Sequence, residues 1–271
     1  MSPTMEAPSI AVTILPSTRD CNKADEVETH TTPVPVKDLT VPDLASSMRE
    51  IRMHEEPEPE PKALSPGKKT SPGQTMFIFD WDDTLLCTTF LQMIGSNNTV
   101  HPSAQGRLRE VEQSAKQLLE KAASMGRLVI VTNSAEGWVE QSAAKYCPEL
   151  MPLLQQVCII SSRTRYQKKF PGRANKWKVE AFLDVMRQPS SSDVTNIISI
   201  GDSHFEWEAA KALEEASNAC IKTIKFRHMP SPVELSREMR SLSQHLETIV
   251  QRAQGLSVSL EQKWSGNAQA F

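Results

Sequence analysis

Residues 77–86 read FIFDWDDTLL: three apolar residues, three carboxylates within four positions, then Thr84 and an apolar pair. A strand that buries Phe77, Ile78 and Phe79 in succession has both faces covered, as strands of a parallel sheet do. Asp80, Asp82 and Asp83 then stand at its exit. In an open parallel sheet that exit, outside the carboxyl ends of the strands, is where ligands and chemistry gather. A solvated turn would explain acids there. It would not by itself explain their alternation with Trp81 or the return to apolar residues after Thr84.

Working outward, short β-branched runs alternate with helical periodicity from residue 74 onward. The strand candidates are 75–80, 127–133, 156–162, 195–202 and 220–226; the helix candidates are 104–125, 136–147, 174–187, 204–217 and 232–253. This alternation predicts an α/β fold: a doubly wound, Rossmann-like parallel sheet of about five strands with helices on both faces.

The stretch before it has a different composition. Eleven of the eighteen prolines but two of the ten glycines precede residue 74, together with EEPEPEP at 55–61. Such a segment buries too little apolar surface to offset its ordering entropy, so residues 1–73 read as a disordered tail. Residues 74–255 then form one domain and 256–271 a C-terminal tail. Within the first tail, DLASSMREIRM (43–53) has Asp43 as an N-cap and Leu44, Met48 and Ile51 on one side. It is either a docking segment for a partner or a transient helix without one. Ser65-Pro66 and Ser71-Pro72 are weak phosphorylation signals.

Charge and cysteines narrow the class. A formal net charge of −3 carries no global signature of nucleic-acid binding. Five scattered cysteines, never in CxxC, fit reduced thiols in a cytoplasmic or nuclear protein and argue against a disulfide framework or a zinc site. The longest apolar run of the N-terminal stretch, IAVTIL (10–15), is too short for a signal or membrane segment.

Four predicted strand ends carry polar residues: Asp80 and Asp82; Thr132 in VTNS (131–134); the pair Ser161 and Ser162; and Asp202 in SIGDS (199–203). If the strands are parallel, these converge on one edge. At this point the residues resemble a family. FDWDDT is similar to the DxDx[TV] motif of the haloacid dehalogenase (HAD) superfamily, and VTNS to its second motif, an apolar strand ending in Ser or Thr. NKWK (175–178) supplies the lysine of the third motif, and SIGDSHFE the Gly-Asp and following acid of the fourth. The resemblance spans residues 75–227, with all four motifs in order.

What the resemblance implies is a phosphatase working through an aspartyl-phosphate. Asp80 would be the nucleophile, and Asp82 general acid to the leaving alcohol and then base for the attacking water. Thr132 and Asn133 would contact the phosphoryl group, and the lysine would hold nucleophile and phosphate by charge. The family pattern assigns a Mg²⁺ ion to Asp80 and Asp202 through side chains and to Asp82 through its backbone carbonyl. Asp83 has no role in the pattern and reads as a solvated residue or a turn acceptor. Of the two lysines, Lys178 is preferred over Lys176 because it leads into the apolar face of Val179, Phe182, Leu183 and Met186. Glu206 is open between a place near the metal and the far end of a capping box begun by Ser203. His204 reads as a surface or packing residue.

Neither the 48 residues from Thr84 to Thr132 nor the 46 from Thr132 to Lys178 leave room for a cap domain. The resemblance therefore implies a capless member, open to a macromolecular or bulky phosphoester. The stretch RTRYQKKFPGRANKWK (163–178) holds seven Lys/Arg and no acid. It is either a rim for an anionic substrate, such as an acidic phosphoprotein, or a solvated basic loop. A catalytically silent binding or scaffold protein on the same fold is the competing expectation; retention of both Asp80 and Asp82 counts against it.

Overall fold

A computed structural model describes residues 11–14, 74–94 and 102–261. Its sheet has seven strands: β1 (Ala11–Ile14), β2 (Thr75–Phe79), β3 (Arg127–Thr132), β4 (Cys158–Ser161), β5 (Asn196–Gly201), β6 (Cys220–Lys225) and β7 (Leu256–Glu261). The spatial order is β1-β7-β6-β5-β2-β3-β4. Strands β2 to β7 run parallel, and β1 adds antiparallel to the β7 edge. The chain builds outward from β2 through β3 to β4, then crosses back to β5 on the other side of β2. In a doubly wound sheet that reversal, between the ends of β2 and β5, is where ligands are expected.

Side chains of β2 alternate between two cores, as the two-residue period of a strand dictates. Phe77 and Phe79 enter the core shared with α2 (Pro102–Met125), α3 (Trp138–Tyr146) and α8 (Pro232–Gln251). Met76 and Ile78 enter the opposite core, with Ala181 and Phe182 of α6 (Ala174–Arg187) and Ala209 and Leu213 of α7 (His204–Ala216). All five β2 residues are buried, which is why the sequence there is continuously apolar. Gly126, just before β3, is required by a close approach: a Cβ there would lie 2.4 Å from the Thr75 carbonyl oxygen.

The five predicted strands and five predicted helices correspond to β2–β6 and to α2, α3, α6, α7 and α8. Three features depart from the expected layout. Strand β7 lies within the stretch assigned to the C-terminal tail; it pairs with β6, and the alternation Leu256, Val258, Leu260 supplies a half-buried strand face. Strand β1 lies within the stretch assigned to the N-terminal tail. Within the basic stretch after β4 a short unexpected helix, α5, occupies Ser162–Tyr166 with Ser161 as its N-cap; residues 167–173 form turns, and α6 begins at Ala174 as expected. The remaining short helices are α1 (Thr88–Met93) and α4 (Met151–Leu154). Among the described residues, neither inter-motif interval holds an additional sheet or domain, and no helix is long and apolar enough to cross a membrane. The candidate docking segment 43–53, the two Ser-Pro pairs and residues 95–101 of the flap-like stretch lie outside the described residues.

Candidate active site

Asp80 follows β2 directly, and its backbone N–H donates to the Ile200 carbonyl at 2.9 Å, which fixes the strand exit against β5. Trp81 then folds the chain back: its carbonyl accepts from Thr84, Leu85 and Leu86 N–H groups. Asp83 takes the left-handed conformation at φ 56°, one that Asp tolerates better than most residues. Its carboxylate accepts from Thr89 N and Thr89 Oγ1, so of its two expected roles it fills that of turn acceptor.

The tight turn turns Asp80 and Asp82 toward different partners. Asp80 is 7 % exposed, and its Oδ1 accepts from Lys178 Nζ at 2.5 Å. Lys178, on the second turn of α6, is 1 % exposed and also reaches Glu206 Oε1 at 2.9 Å and the Val131 carbonyl at 2.6 Å. Lys176 stands on another side of the helix and is partly exposed. The structure thus brings Lys178 rather than Lys176 to the strand edge.

Glu206 fills the capping role expected for it and also faces the lysine. Its Oε2 accepts from the Ser203 backbone and hydroxyl in a complete capping box of α7, while Oε1 faces Lys178. Gly201 makes room for it: a Cβ there would lie 2.3 Å from Glu206 Cγ. Asp202, next in the chain, is buried, and its Oδ2 lies 2.8 Å from Nδ1 of His228 on the β6–α8 connection. Ligand oxygens of Asp80, Asp202 and Glu206 all lie within 4.8 Å of one another.

Charge in this cluster is unevenly compensated. Burial opposes the Lys178 ammonium, but Asp80 and Glu206 outweigh it and hold its pKa above the ordinary lysine value. Burial likewise opposes ionisation of Glu206, but Lys178 and Ser203 hold it below the usual range. Burial pushes Asp202 up to about 6, with Glu206 adding repulsion and His228 offsetting part of it. Burial raises Asp80 well above its ordinary value even with Lys178 in contact. Three buried carboxylates around one ammonium form a donor set that suits a further, hard cation.

Asp82 belongs to a second cluster. Its carboxylate accepts from Thr88 Oγ1, Thr132 Oγ1, Ser134 Oγ and Trp138 Nε1. Thr132 ends β3, and its own hydroxyl accepts from Ser134 N at 2.9 Å. The Asn133 side chain is engaged inward: its amide donates to the Ala174 carbonyl at 3.3 Å, and its oxygen accepts from Ser162 Oγ. Ser162 Oγ also bonds the Thr132 carbonyl, and Ser161 Oγ the Ser134 carbonyl, so the serine pair at the end of β4 holds the β3 turn in place. Residues Thr88, Trp138 and His228 had no assigned role in the sequence pattern. Trp138 and His228 lie 56 and 26 positions from their partners, beyond the reach of any local periodicity, while Thr88 lies six from Asp82 across the turn.

His204 is exposed and stacks on Trp207 with ring centroids 4.9 Å apart, as a surface residue would. In the basic stretch, Lys169 is exposed, 3.8 Å from Glu180 and over the Phe170 ring. Lys178 is the member of that stretch that enters the site.

No protein-family model matches the chain, and no curated protein matches it in sequence. Among solved structures, cytosolic 5′-nucleotidase IIIB bound to cytidine resembles it with a TM-score of 0.34 and 10% identity, over 71% of this chain and 82% of that one. A likeness of that degree leaves the functional assignment to the site's own geometry.

Proposed function

We propose that this protein is a magnesium-dependent phosphomonoester hydrolase of the HAD kind, acting through an aspartyl-phosphate at Asp80. The observation that carries the reading is the placement of Asp80. It stands at the reversal point of a parallel sheet, buried, between Lys178 and two further carboxylates, with Asp82 and Thr132 bonded to each other at the same sheet edge.

In this reading an Asp80 oxygen attacks phosphorus in line, and the bond to the leaving oxygen breaks with its electron pair on that oxygen. Asp82 supplies the proton that the leaving alcohol needs, then takes one from the water that attacks the phosphoenzyme. Lys178 keeps the Asp80 oxygens oriented and balances charge gathering on the phosphoryl group. Thr132 turns its hydroxyl from Asp82 to a phosphoryl oxygen. Asp80, Asp202 and the Asp82 backbone carbonyl would hold Mg²⁺, with Glu206 already committed to Lys178 and Ser203. The ion would supply charge neutralisation on the transferring oxygens.

The substrate is proposed to be a macromolecular or bulky phosphoester, and in particular an acidic phosphoprotein segment. That rests on the absence of an inserted domain among the described residues and on the exposed positive charges of the stretch after β4. The test is phosphate release with Mg²⁺ from a panel of phosphorylated metabolites and phosphopeptides. Turnover that Asp80→Asn abolishes while the variant stays folded is the expected result; near wild-type turnover by that variant would overturn the mechanism.

A further inference from the structure

The Asp82 carboxylate is held from two sides by donors of different kinds. Its Oδ1 accepts from Trp138 Nε1 at 2.8 Å and from Thr88 Oγ1 at 2.7 Å. Its Oδ2 accepts from Ser134 Oγ at 2.8 Å and from Thr132 Oγ1 at 3.2 Å. Three of these donors are hydroxyls, which can turn to other acceptors; Thr88 Oγ1 on Oδ1 also lies 3.2 Å from the Leu86 carbonyl. An indole N–H donates in one direction fixed by its ring and accepts nothing. Trp138 is the first residue of α3, and that helix is tied to the same turn by a second indole in the opposite sense: Trp81 Nε1 donates to Ser142 Oγ at 2.9 Å. The turn after β2 and the start of α3 are therefore clasped twice, once through a buried serine and once through the acid/base carboxylate itself.

From this asymmetry we infer that Trp138 is a positioning residue of the reaction: with Thr88 it fixes Oδ1 and thereby aims Oδ2 at the oxygen that exchanges a proton. The inference rests on the phosphatase reading given above. As phosphate binds, the Thr132 and Ser134 hydroxyls can turn to it and free Oδ2, while Oδ1 keeps both of its donors. In the first half-reaction the Asp80–phosphorus bond forms and the bond to the leaving oxygen breaks. The released electron pair on that oxygen takes the proton from Oδ2. In the second, a water oxygen bonds phosphorus and gives a proton to Oδ2. The Asp80–phosphorus bond then breaks, its pair returning to the carboxylate. Both transfers use Oδ2, and both depend on where the anchored Oδ1 leaves it pointing.

The test is Trp138→Phe, which keeps an aromatic ring and removes the donor, in the full chain with Mg²⁺. Its kcat/KM is compared with wild type on p-nitrophenyl phosphate, whose leaving group departs without a proton, and on a simple alkyl phosphate, whose leaving group needs one. The expected loss on the alkyl phosphate exceeds that on the aryl phosphate by about tenfold, a fraction of the roughly 10²–10⁴-fold that general acid catalysis contributes, because the acid itself remains. Thr88→Val should show the same imbalance and Thr88→Ser should restore balance. Equal losses on both substrates would overturn the inference, because a clasp that only supports the fold does not distinguish leaving groups. No loss on either would overturn it as well. If Trp138→Phe fails to give a cooperative melt, the Thr88 pair decides the question by the same comparison. Asp82→Asn separates the two levels of the argument. If that variant shows no dependence on the leaving group, the acid/base reading of Asp82 fails; if it does and Trp138→Phe does not, only the positioning role fails.

Discussion

Lys178→Met replaces the ammonium in the candidate active site with an uncharged side chain of similar length. The ammonium has three partners, Asp80 at 2.5 Å, Glu206 at 2.9 Å and the Val131 carbonyl at 2.6 Å, at 1 % exposure. Its removal leaves two buried carboxylates facing each other, with Asp202 close by. Removing one partner of a buried pair costs roughly 3–5 kcal/mol, because the other charge stays behind uncompensated. Asp80, already raised by burial, can relieve part of that by taking up a proton. Against a typical total of about 5–15 kcal/mol, the variant should fold but unfold at markedly lower urea. Equilibrium urea unfolding followed by circular dichroism measures the difference. Lys176→Met is the control, expected within about 0.5 kcal/mol of wild type as a partly exposed residue away from the cluster. Pairing Lys178→Met with Glu206→Gln should recover part of the loss by removing one of the stranded charges. Stability of Lys178→Met within about 0.5 kcal/mol of wild type, or a larger cost at Lys176, would refute the reasoning.

Three further outcomes are expected. Burial pushes the Glu238 carboxyl up to about 7, and its Oε2 has no partner while Oε1 accepts from Arg227 N. Its folded-state pKa is above the unfolded value, so the stability it contributes is complete below about 4.5 and is lost as pH rises through about 7. Glu238→Gln should therefore gain about 2–3 kcal/mol over wild type at pH 8 and little at pH 4, measured by urea unfolding at both. Gly201→Ala should cost about 1–3 kcal/mol and lower turnover, because its Cβ displaces Glu206 from Lys178; unchanged urea midpoint and turnover would contradict this. Lys168→Glu with Lys169→Glu should weaken kcat/KM on an acidic phosphopeptide, less so as added salt shortens the screening length from the physiological value of about 8 Å. Equal losses on p-nitrophenyl phosphate would assign those lysines a structural role.

The fold was legible where burial on both faces made strands largely apolar, as at Phe77–Phe79 and at Ile197, Ile198 and Ile200. Strand β7 carried a signal too, the alternation Leu256, Val258, Leu260, but three alternating apolar residues are too short a run to separate a strand from a tail by pattern alone. Lys178 was legible because the apolar face of α6 sets its side. Glu206 read as a cap or a neighbour of the metal; its carboxylate uses one oxygen on the cap and the other on Lys178, a pairing the sequence spacing did not suggest. The Asn133 side chain is held by Ser162 and the Ala174 carbonyl, partners that its place in VTNS did not suggest. Trp138 and His228 were not legible at all. An indole or imidazole on a carboxylate tens of residues away is set by how elements pack, which no local spacing encodes.

The central claim is that Asp80 carries the phosphoryl group and Asp82 is needed to remove it. Asp82→Asn, mixed with p-nitrophenyl phosphate and Mg²⁺ and quenched in acid, should accumulate a phosphoryl group on the peptide containing Asp80, read by mass spectrometry. Hydroxylamine should discharge it as an acyl phosphate, and Asp80→Asn should show none. Absence of the adduct in a folded, substrate-turning Asp82→Asn variant, or its appearance on another residue, would contradict the account.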